Sequence, residues 1–318
     1  MNFFRDDIPL NWPFSRQAWA LGREQMEGKP FSQNPSTRQG RTVLVKKVLN
    51  KLLGHRVFGP LWRRGYQNAS VPKLVTKKLS IRGLPKDLSG FTILHLTDLH
   101  LDGIPELGEH ICDITRGMAP DICVMTGDFI TYYNRANYRD ILPAMERIVK
   151  GVSARYGIFA VLGNHDTWRL VPPFENLGIR MLVNESVTLA KEGATVMITG
   201  VDDPHEYLTK QAFQALKTNA AGVKLALVHT PELFREAQRN DYTLYMAGHT
   251  HGGQICLPGG VPVFVHLNRG HRFYRGKWQF GRMIGYTGQG VGAVGVPLRF
   301  NTHSEIALIS LVPADEYR

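Results

Sequence analysis

Five short segments of this 318-residue chain carry side chains suited to holding metal: DLH at 98–100, GD at 127–128, GNHD at 163–166, a histidine at 229, and GHTH at 248–251. Their donors are carboxylates (Asp98, Asp128, Asp166), imidazoles (His100, His165, His229, His249, His251) and one amide oxygen (Asn164), with no thiolate among them. That set suits Mn, Fe, Zn, Co or Ni better than Mg or Ca. Asp98 and His100 stand two residues apart, as do His249 and His251; in an extended segment such pairs leave the same side of the chain. Glycines precede Asp128, Asn164 and His249, where they allow sharp turns and close approach of backbone to a bound group. Any one segment alone reads as an ordinary strand end. Five together point to metal.

The elements that must position these residues are legible around them. Each segment follows a short apolar run: FTILHLT, DICVMT, GIFAVL, KLALV and YTLYMA. LVTKKLSI and VMITGV read as further strands, and ELGEHICDITRGM, RDILPAMERIVKGV, TKQAFQALKTN and PELFREAQRN as helices between them. Strands alternating with helical patterns indicate an α/β protein with a largely parallel or mixed sheet. In such sheets the carboxyl ends of the strands and their loops converge, so the five segments are expected to meet. His95 is expected inside the first of these strands as a core histidine. His55, His110, His205, His266, His271 and His303 fit no spacing and are expected in structural or surface roles. Asp202 and Asp203, after VMITGV, read as turn or supporting residues. GQGVG at 288–292 has no helix after it, which excludes a dinucleotide-binding fingerprint.

Composition narrows the class. With 43% hydrophobic residues the chain can bury a full core. Cys112, Cys123 and Cys256 are scattered and unpaired by spacing, so neither a disulfide framework nor a thiolate site is expected, and a reducing compartment is the default. No apolar run approaches the ~20 residues of a spanning helix, and the charged start lacks a secretory h-region. The net charge of +11 is local. Residues 41–86 hold twelve Lys or Arg and no acid, leaving 38 − 12 = 26 basic against 27 acidic residues elsewhere. Within that stretch TVLVKKVLNKLLG (42–54) reads as a basic amphipathic helix. Two readings stand side by side: an interfacial helix on anionic lipid, or a helix docked on the protein with its basic face in water. Aliphatic interleaving and the lack of a base-reading module argue against specific nucleic-acid binding, and no protein partner can be inferred. The preceding GKPFSQNPSTRQG reads as a linker.

The order DLH, GD, GNHD, His, GHTH resembles the calcineurin-like metallophosphoesterase superfamily over residues 74–308. The flanks LSIRGLPKDLSG and GQGVGAVGVPLRF are similar to the bacterial YkuE/YaeI-type phosphodiesterase subgroup, which includes the chlamydial UDP-2,3-diacylglucosamine hydrolase. The resemblance implies an α/β four-layer sandwich of two mixed β-sheets flanked by helices, as a domain over 71–318, with an N-terminal extension bearing the basic helix over 1–70. It implies two divalent metal ions, Mn being the expected choice in vitro: one held by Asp98, His100 and His251, the second by Asn164, His229 and His249, with Asp128 bridging. A carboxylate can bridge two cations and an imidazole cannot, which accounts for an Asp in the middle motif. His165 is then expected to contact the phosphoryl group as stabiliser or general acid, with Asp166 orienting it. Arg135, Arg269 and Arg272 lie in loops that could grip a further phosphate or a sugar nucleotide.

The implied function is hydrolysis of a phosphodiester or pyrophosphate bond, in a lipid-linked or sugar-nucleotide substrate at a membrane surface reached through residues 41–86. The expected location is cytoplasmic, peripheral on the inner face of the membrane if that surface is engaged. Two alternatives stay open: a soluble phosphoesterase for a small ester, and a metal-bound interaction module. Retention of His165 and all seven ligand positions weighs against the second alternative.

Overall fold

The computed structural model describes residues 8–28 and 59–314. The amphipathic segment 42–54 lies outside the described residues. Twelve strands among the described residues form two six-stranded sheets. The first has the order β1 (Lys73–Ile81), β12 (Glu305–Pro313), β2 (Thr92–Leu96), β3 (Ile122–Thr126), β4 (Ile158–Val161) and β5 (Ile179–Met181). The second runs β10 (Gly276–Phe280), β11 (Met283–Thr287), β9 (Leu244–Ala247), β8 (Val223–Leu227), β7 (Ala194–Gly200) and β6 (Glu185–Lys191). Both are mixed. β2 through β5 are parallel neighbours, and so are β7, β8, β9 and β11, while β12 pairs antiparallel with β2, and β6 and β10 run antiparallel at their edges.

The inner strands β2–β4, β7–β9 and β11 are largely apolar and buried because both faces of the sheets are covered there. Alternation with a period of two assigns each residue to a layer. Ile93, Val124, Leu225, Leu227, Leu244 and Met246 fill the space between the sheets. Leu94, Leu96, Cys123 and Met125 face helices α3 (Leu107–Thr115), α4 (Leu142–Gly151) and α5 (Val171–Asn176). Ala226, Tyr245 and Ala247 face α6 (Lys210–Leu216) and α7 (Phe234–Arg239). The result is the expected order helix, sheet, sheet, helix. His95 sits where expected, 2% exposed in β2, its Nε2 2.8 Å from the Thr126 hydroxyl; burial pushes its pKa down to about 3 and keeps it neutral.

β5, β6, β10 and β11 do not stand out as strands in the amino-acid pattern. β6 and β10 are half-exposed edge strands, and β5 is three residues long. Among the described residues two helices precede the sheets. α1 (Phe14–Glu27) packs against the α5 side of the domain, and α2 (Gly59–Ser70) meets the segment before β12, where the Gly65 carbonyl accepts from the Arg299 N–H at 2.9 Å. Among the described residues no helix is long and apolar enough to cross a membrane.

Candidate metal centre

The carboxyl ends of β2, β3 and β4 in one sheet face those of β8 and β9 in the other, and all five motifs meet there. Asp98, His100, Asp128 and His251 form one group of buried donors; Asp128, His229 and His249 form another. Each group's donor atoms lie within 4.8 Å of one another. His100 Nε2 lies 3.3 Å from His251 Nε2 and 3.7 Å from Asp128 Oδ2. His251 Nε2 is 3.5 Å from Asp98 Oδ1. On the other side, Asn164 Oδ1 is 3.0 Å from His229 Nε2 and 2.9 Å from His249 Nδ1. Asp128 Oδ2 stands between the groups, 3.3 Å from His229 Nε2.

The pairs spaced by two residues do not converge as strand neighbours would. Asp98, His100, Asp128, His249 and His251 all have positive φ, between 40° and 72°, a left-handed conformation uncommon for residues with a side chain and typical of functional sites. The extended geometry expected for DLH and GHTH is thus replaced by tight turns. Neighbouring backbone over-determines those turns. The Asp98 N–H donates to the Gly127 carbonyl and the His100 N–H to the Asp128 carbonyl, while the Gly248 N–H donates to the His229 carbonyl. A Cβ on Gly163 would overlap the Asp128 carboxylate, and one on Gly248 would overlap Thr97 and Asp98.

Outer contacts choose which nitrogen of each ring faces inward. His100 Nδ1 is 3.0 Å from the Ile130 carbonyl and His229 Nδ1 2.7 Å from that of Thr126. A ring that donates through Nδ1 presents the lone pair of Nε2 to the site. His249 is the reverse: Nδ1 faces inward and its buried Nε2 has no hydrogen-bond partner.

Electrostatics fit a cation. Burial, then neighbouring His100 and Arg299, hold His251 well below its ordinary value; burial, then His229 and His205, do the same for His249. Burial pushes Asp98 up to about 7. For Asp128, burial acts upward, but His229 and His165 outweigh it and keep the carboxylate charged. His229 is the counterpart: burial acts downward, and Asp128 with Asp98 and Asp203 raises it to about 10. Buried carboxylates converging with imidazoles of which His100, His249 and His251 are held below their ordinary value are a donor set that divalent cations satisfy.

His165 is the partly open member, its side chain 17% exposed, with Nε2 4.0 Å from Asp128 Oδ2 and its ring edge-on to His100 at 5.1 Å. Its N–H donates to Asp128 Oδ1 at 2.9 Å. Asp166 departs from expectation. Its carboxylate accepts the backbone N–H groups of Asp128, Phe129, Ile130 and Gly163 at 2.8, 2.8, 3.3 and 2.8 Å; it holds the Asp128 turn and makes no hydrogen bond to the His165 side chain.

Of the three arginines expected at the substrate, the side chains of two are described. Arg272 lies over the Phe273 ring at 4.7 Å, on the aromatic cluster outside the second sheet. Arg269 is exposed, next to Asn268, whose N–H is held by Glu232. The Arg135 side chain lies outside the described residues.

Other residues arrive that local spacing did not single out. His205 and His266, expected in structural or surface roles, pack their rings 4.6 and 5.5 Å from that of His249. Glu232 orients His205 from 3.1 Å. His205 follows Asp202 and Asp203 at the end of β7, beside β8, a hint that a sheet order would have exposed; His266 carried no such signal. Arg299, fully buried, donates to the carbonyls of His251, Gly290 and Gly292. It ties GHTH to the GQGVG loop, whose Val291 and Gly292 N–H groups bond the Thr97 and Asp98 carbonyls.

Residues 91–253 match the sequence profile described as calcineurin-like phosphoesterase. Relatives include the uncharacterized metallophosphoesterase YkoQ of Bacillus subtilis, 29% identical over 79% of this chain and 94% of its own length. The phosphodiesterase YaeI of Escherichia coli is 26% identical over 70% of this chain and 82% of its own. A transmembrane protein with metallophosphoesterase domain from Danio rerio is 26% identical over 77% of this chain, which spans 59% of that protein. Among solved structures, the NAD nucleotidase of Haemophilus influenzae superposes with a TM-score of 0.42 at 14% identity, over 64% of this chain and 46% of that one.

Proposed function

The chain belongs to the calcineurin-like phosphoesterase family of metal-dependent phosphate-ester hydrolases, and on that premise we propose that it hydrolyses a phosphodiester or pyrophosphate bond in an amphiphilic substrate at a membrane surface. The observation that carries the hydrolytic part is the pair of donor groups sharing Asp128. Asp98, His100 and His251 would hold one divalent cation, and Asn164, His229 and His249 the second. Cations in those positions supply Lewis acidity toward phosphate and water oxygens and charge compensation for the transition state. The protein's own contribution is to pre-form the cradle through left-handed turns and ring tautomers, and to keep it dry.

His165 is the one group of GNHD that is buried by neighbours yet reaches solvent, so its Nε2 is placed to hold a proton for the leaving oxygen. Asp128 and the rings around it keep that nitrogen aimed at the cradle.

The amphiphilic part rests on the rim. The hairpin after GHTHGGQ presents Leu257, Val261, Val263 and Phe264 to solvent, each more than half exposed. Phe264 packs on His266, which in turn packs on His249, so this apolar tip borders the cluster. Apolar side chains beside a site, on a chain whose positive charge is concentrated in residues 41–86, suit an anionic lipid surface.

The test is turnover of bis(p-nitrophenyl) phosphate by protein carrying two Mn per chain, against His165→Ala. The expected result is wild-type hydrolysis and a loss of roughly 10²- to 10⁴-fold in kcat for the variant, with Mn content unchanged. No hydrolysis by the loaded wild type, or equal rates, overturns the hydrolytic reading. Equal sedimentation with phosphatidylglycerol and phosphatidylcholine vesicles overturns the membrane part.

A further inference from the structure

We propose that α1 is a working part of the metal centre and that Arg23 is a positioning residue for the turn carrying Asn164 and His165; this rests on the ligand roles proposed above. α1 precedes the family-matched region by more than sixty residues of sequence, yet Arg23 is fully buried beside the cluster. Every face of its guanidinium is used. Nη1 meets Asp202 Oδ1 at 2.5 Å and Nε meets Glu27 Oε1 at 3.0 Å. Nη2 donates to the carbonyls of Gly163 at 2.9 Å and Asp166 at 3.2 Å. The Tyr207 ring lies 3.3 Å from the guanidinium carbon. Asp202 is itself held by the Trp19 indole N–H at 2.8 Å.

The two carbonyls matter because they bracket Asn164 and His165. From one side the Asp166 carboxylate grips the N–H of Gly163 and of the Asp128 turn; from the other Arg23 grips the carbonyls at both ends of the same four residues. The Gly163 carbonyl also takes the Asp166 N–H, at a longer 3.3 Å; what Arg23 adds is a charged fork that reaches both oxygens at once, and a buried carbonyl that lost it would be left poorly satisfied. Lysine carries the charge but not the fork.

Glu27 extends the grip one step along the chain, accepting from the Thr167 hydroxyl at 2.7 Å and the Trp168 N–H at 2.9 Å. Glu24 takes the Trp168 indole N–H and, at 2.7 Å, Arg169. One turn of helix thus follows residues 163–169 from start to end. Anchoring of α1 alone would require Asp202 and the 167–169 contacts; it would not require a guanidinium on the carbonyls flanking a ligand and a proton donor.

The experiment compares full-length wild type, Arg23→Lys, Asp202→Asn and the surface control Arg116→Ala, whose side chain is 74% exposed. Three readouts are taken: kcat and KM for bis(p-nitrophenyl) phosphate at saturating Mn, Mn affinity by calorimetry, and hydrogen exchange of residues 163–168 in metal-free protein. For Arg23→Lys we expect kcat to fall about 10- to 100-fold and one of two Mn sites to weaken by a similar factor. KM should stay within about threefold and exchange should quicken in that segment, since uniform substrate binding is untouched while the transition-state geometry is lost. A folded Arg23→Lys with wild-type kcat, two wild-type Mn affinities and unchanged exchange overturns the proposal. Should Arg23→Lys not fold, Asp202→Asn, which frees the same guanidinium in place, is read by the same criteria. If loaded wild type hydrolyses nothing, the phosphoesterase reading has failed, and the Mn and exchange readouts still decide the clamp.

Discussion

On the side of the first sheet, the carboxylates of Asp98, Asp128 and Asp166 are held by backbone N–H groups. Asp166 collects four N–H groups, Asp98 receives the His249 N–H on both oxygens, and Arg23 closes the carbonyls behind. On the side of the second sheet, His249 and His251 are held mostly by other rings and long side chains, with His229 alone oriented by a backbone carbonyl, that of Thr126. His205 and His266 pack on His249, and Arg299 braces the GHTH turn. The first wall is scaffolded by hydrogen bonds of fixed direction; the second is an aromatic stack that runs out to an apolar, solvent-exposed hairpin. Directional bonds fix geometry, while rings and apolar tips leave a surface on which a substrate can rest. The first wall is therefore read as the source of the rate and the second as the route of access.

The strongest way to break that contrast is Asp128→Ala, which removes the donor common to both groups. Mn per chain should fall below two by metal analysis, and hydrolysis should drop by roughly a thousandfold or more, because several kcal/mol of charge stabilisation is lost with the cations. Retention of two Mn would place the shared position elsewhere. Asp166→Asn touches only the scaffold: an amide cannot accept on both sides, so the Asp128 turn loosens. Its expected cost is about 10- to 100-fold in kcat with KM little changed, measured beside a melting curve that verifies folding. A change confined to KM would move Asp166 from the rate-setting wall to the access wall.

The seam between the walls has its own signature. His95 faces Tyr286 of the second sheet and is neutral when folded, with a pKa of about 3. A histidine depressed in this way contributes stability above its unfolded pKa of about 6.5 that is lost as pH falls toward 3. Urea unfolding at pH 7 and pH 5 should show the wild type losing about 2 kcal/mol more than His95→Gln over that interval. Equal slopes would mean that protons enter the seam without cost. The mildest effect is expected at the rim. Phe264→Asp should weaken binding to phosphatidylglycerol vesicles by about tenfold, the loss of one partly inserted aromatic side chain, and leave turnover of a small soluble ester near the wild-type rate. A fall in that soluble turnover would make the hairpin part of the catalytic wall.

The motif-bearing half of the fold was legible because its signal is local. Seven runs correspond to β1–β4 and β7–β9, and in all of them but the largely exposed β1 burial on both faces leaves a hydrophobic stretch that the chain cannot disguise. The edge strands β6 and β10 were obscured by mixed exposure, and β11 by a glycine-rich context. DLH, GD, GNHD, His229 and GHTH stand at strand ends, where type and spacing survive in one dimension. The use made of Asp166 was not legible: adjacent residues in a tight turn need not point alike, and Asp166 turned to the backbone.

What the amino-acid sequence determined by itself is the chemistry: which donors exist, that they follow strands, and that they contain no thiolate. The tertiary structure alone decided the company they keep. His205, His266, Arg299 and Arg23 reach the centre from segments with no motif, across as many as 179 residues in the Arg23–Asp202 pair, because buried carbonyls and carboxylates must find donors wherever in the chain the packing can supply them.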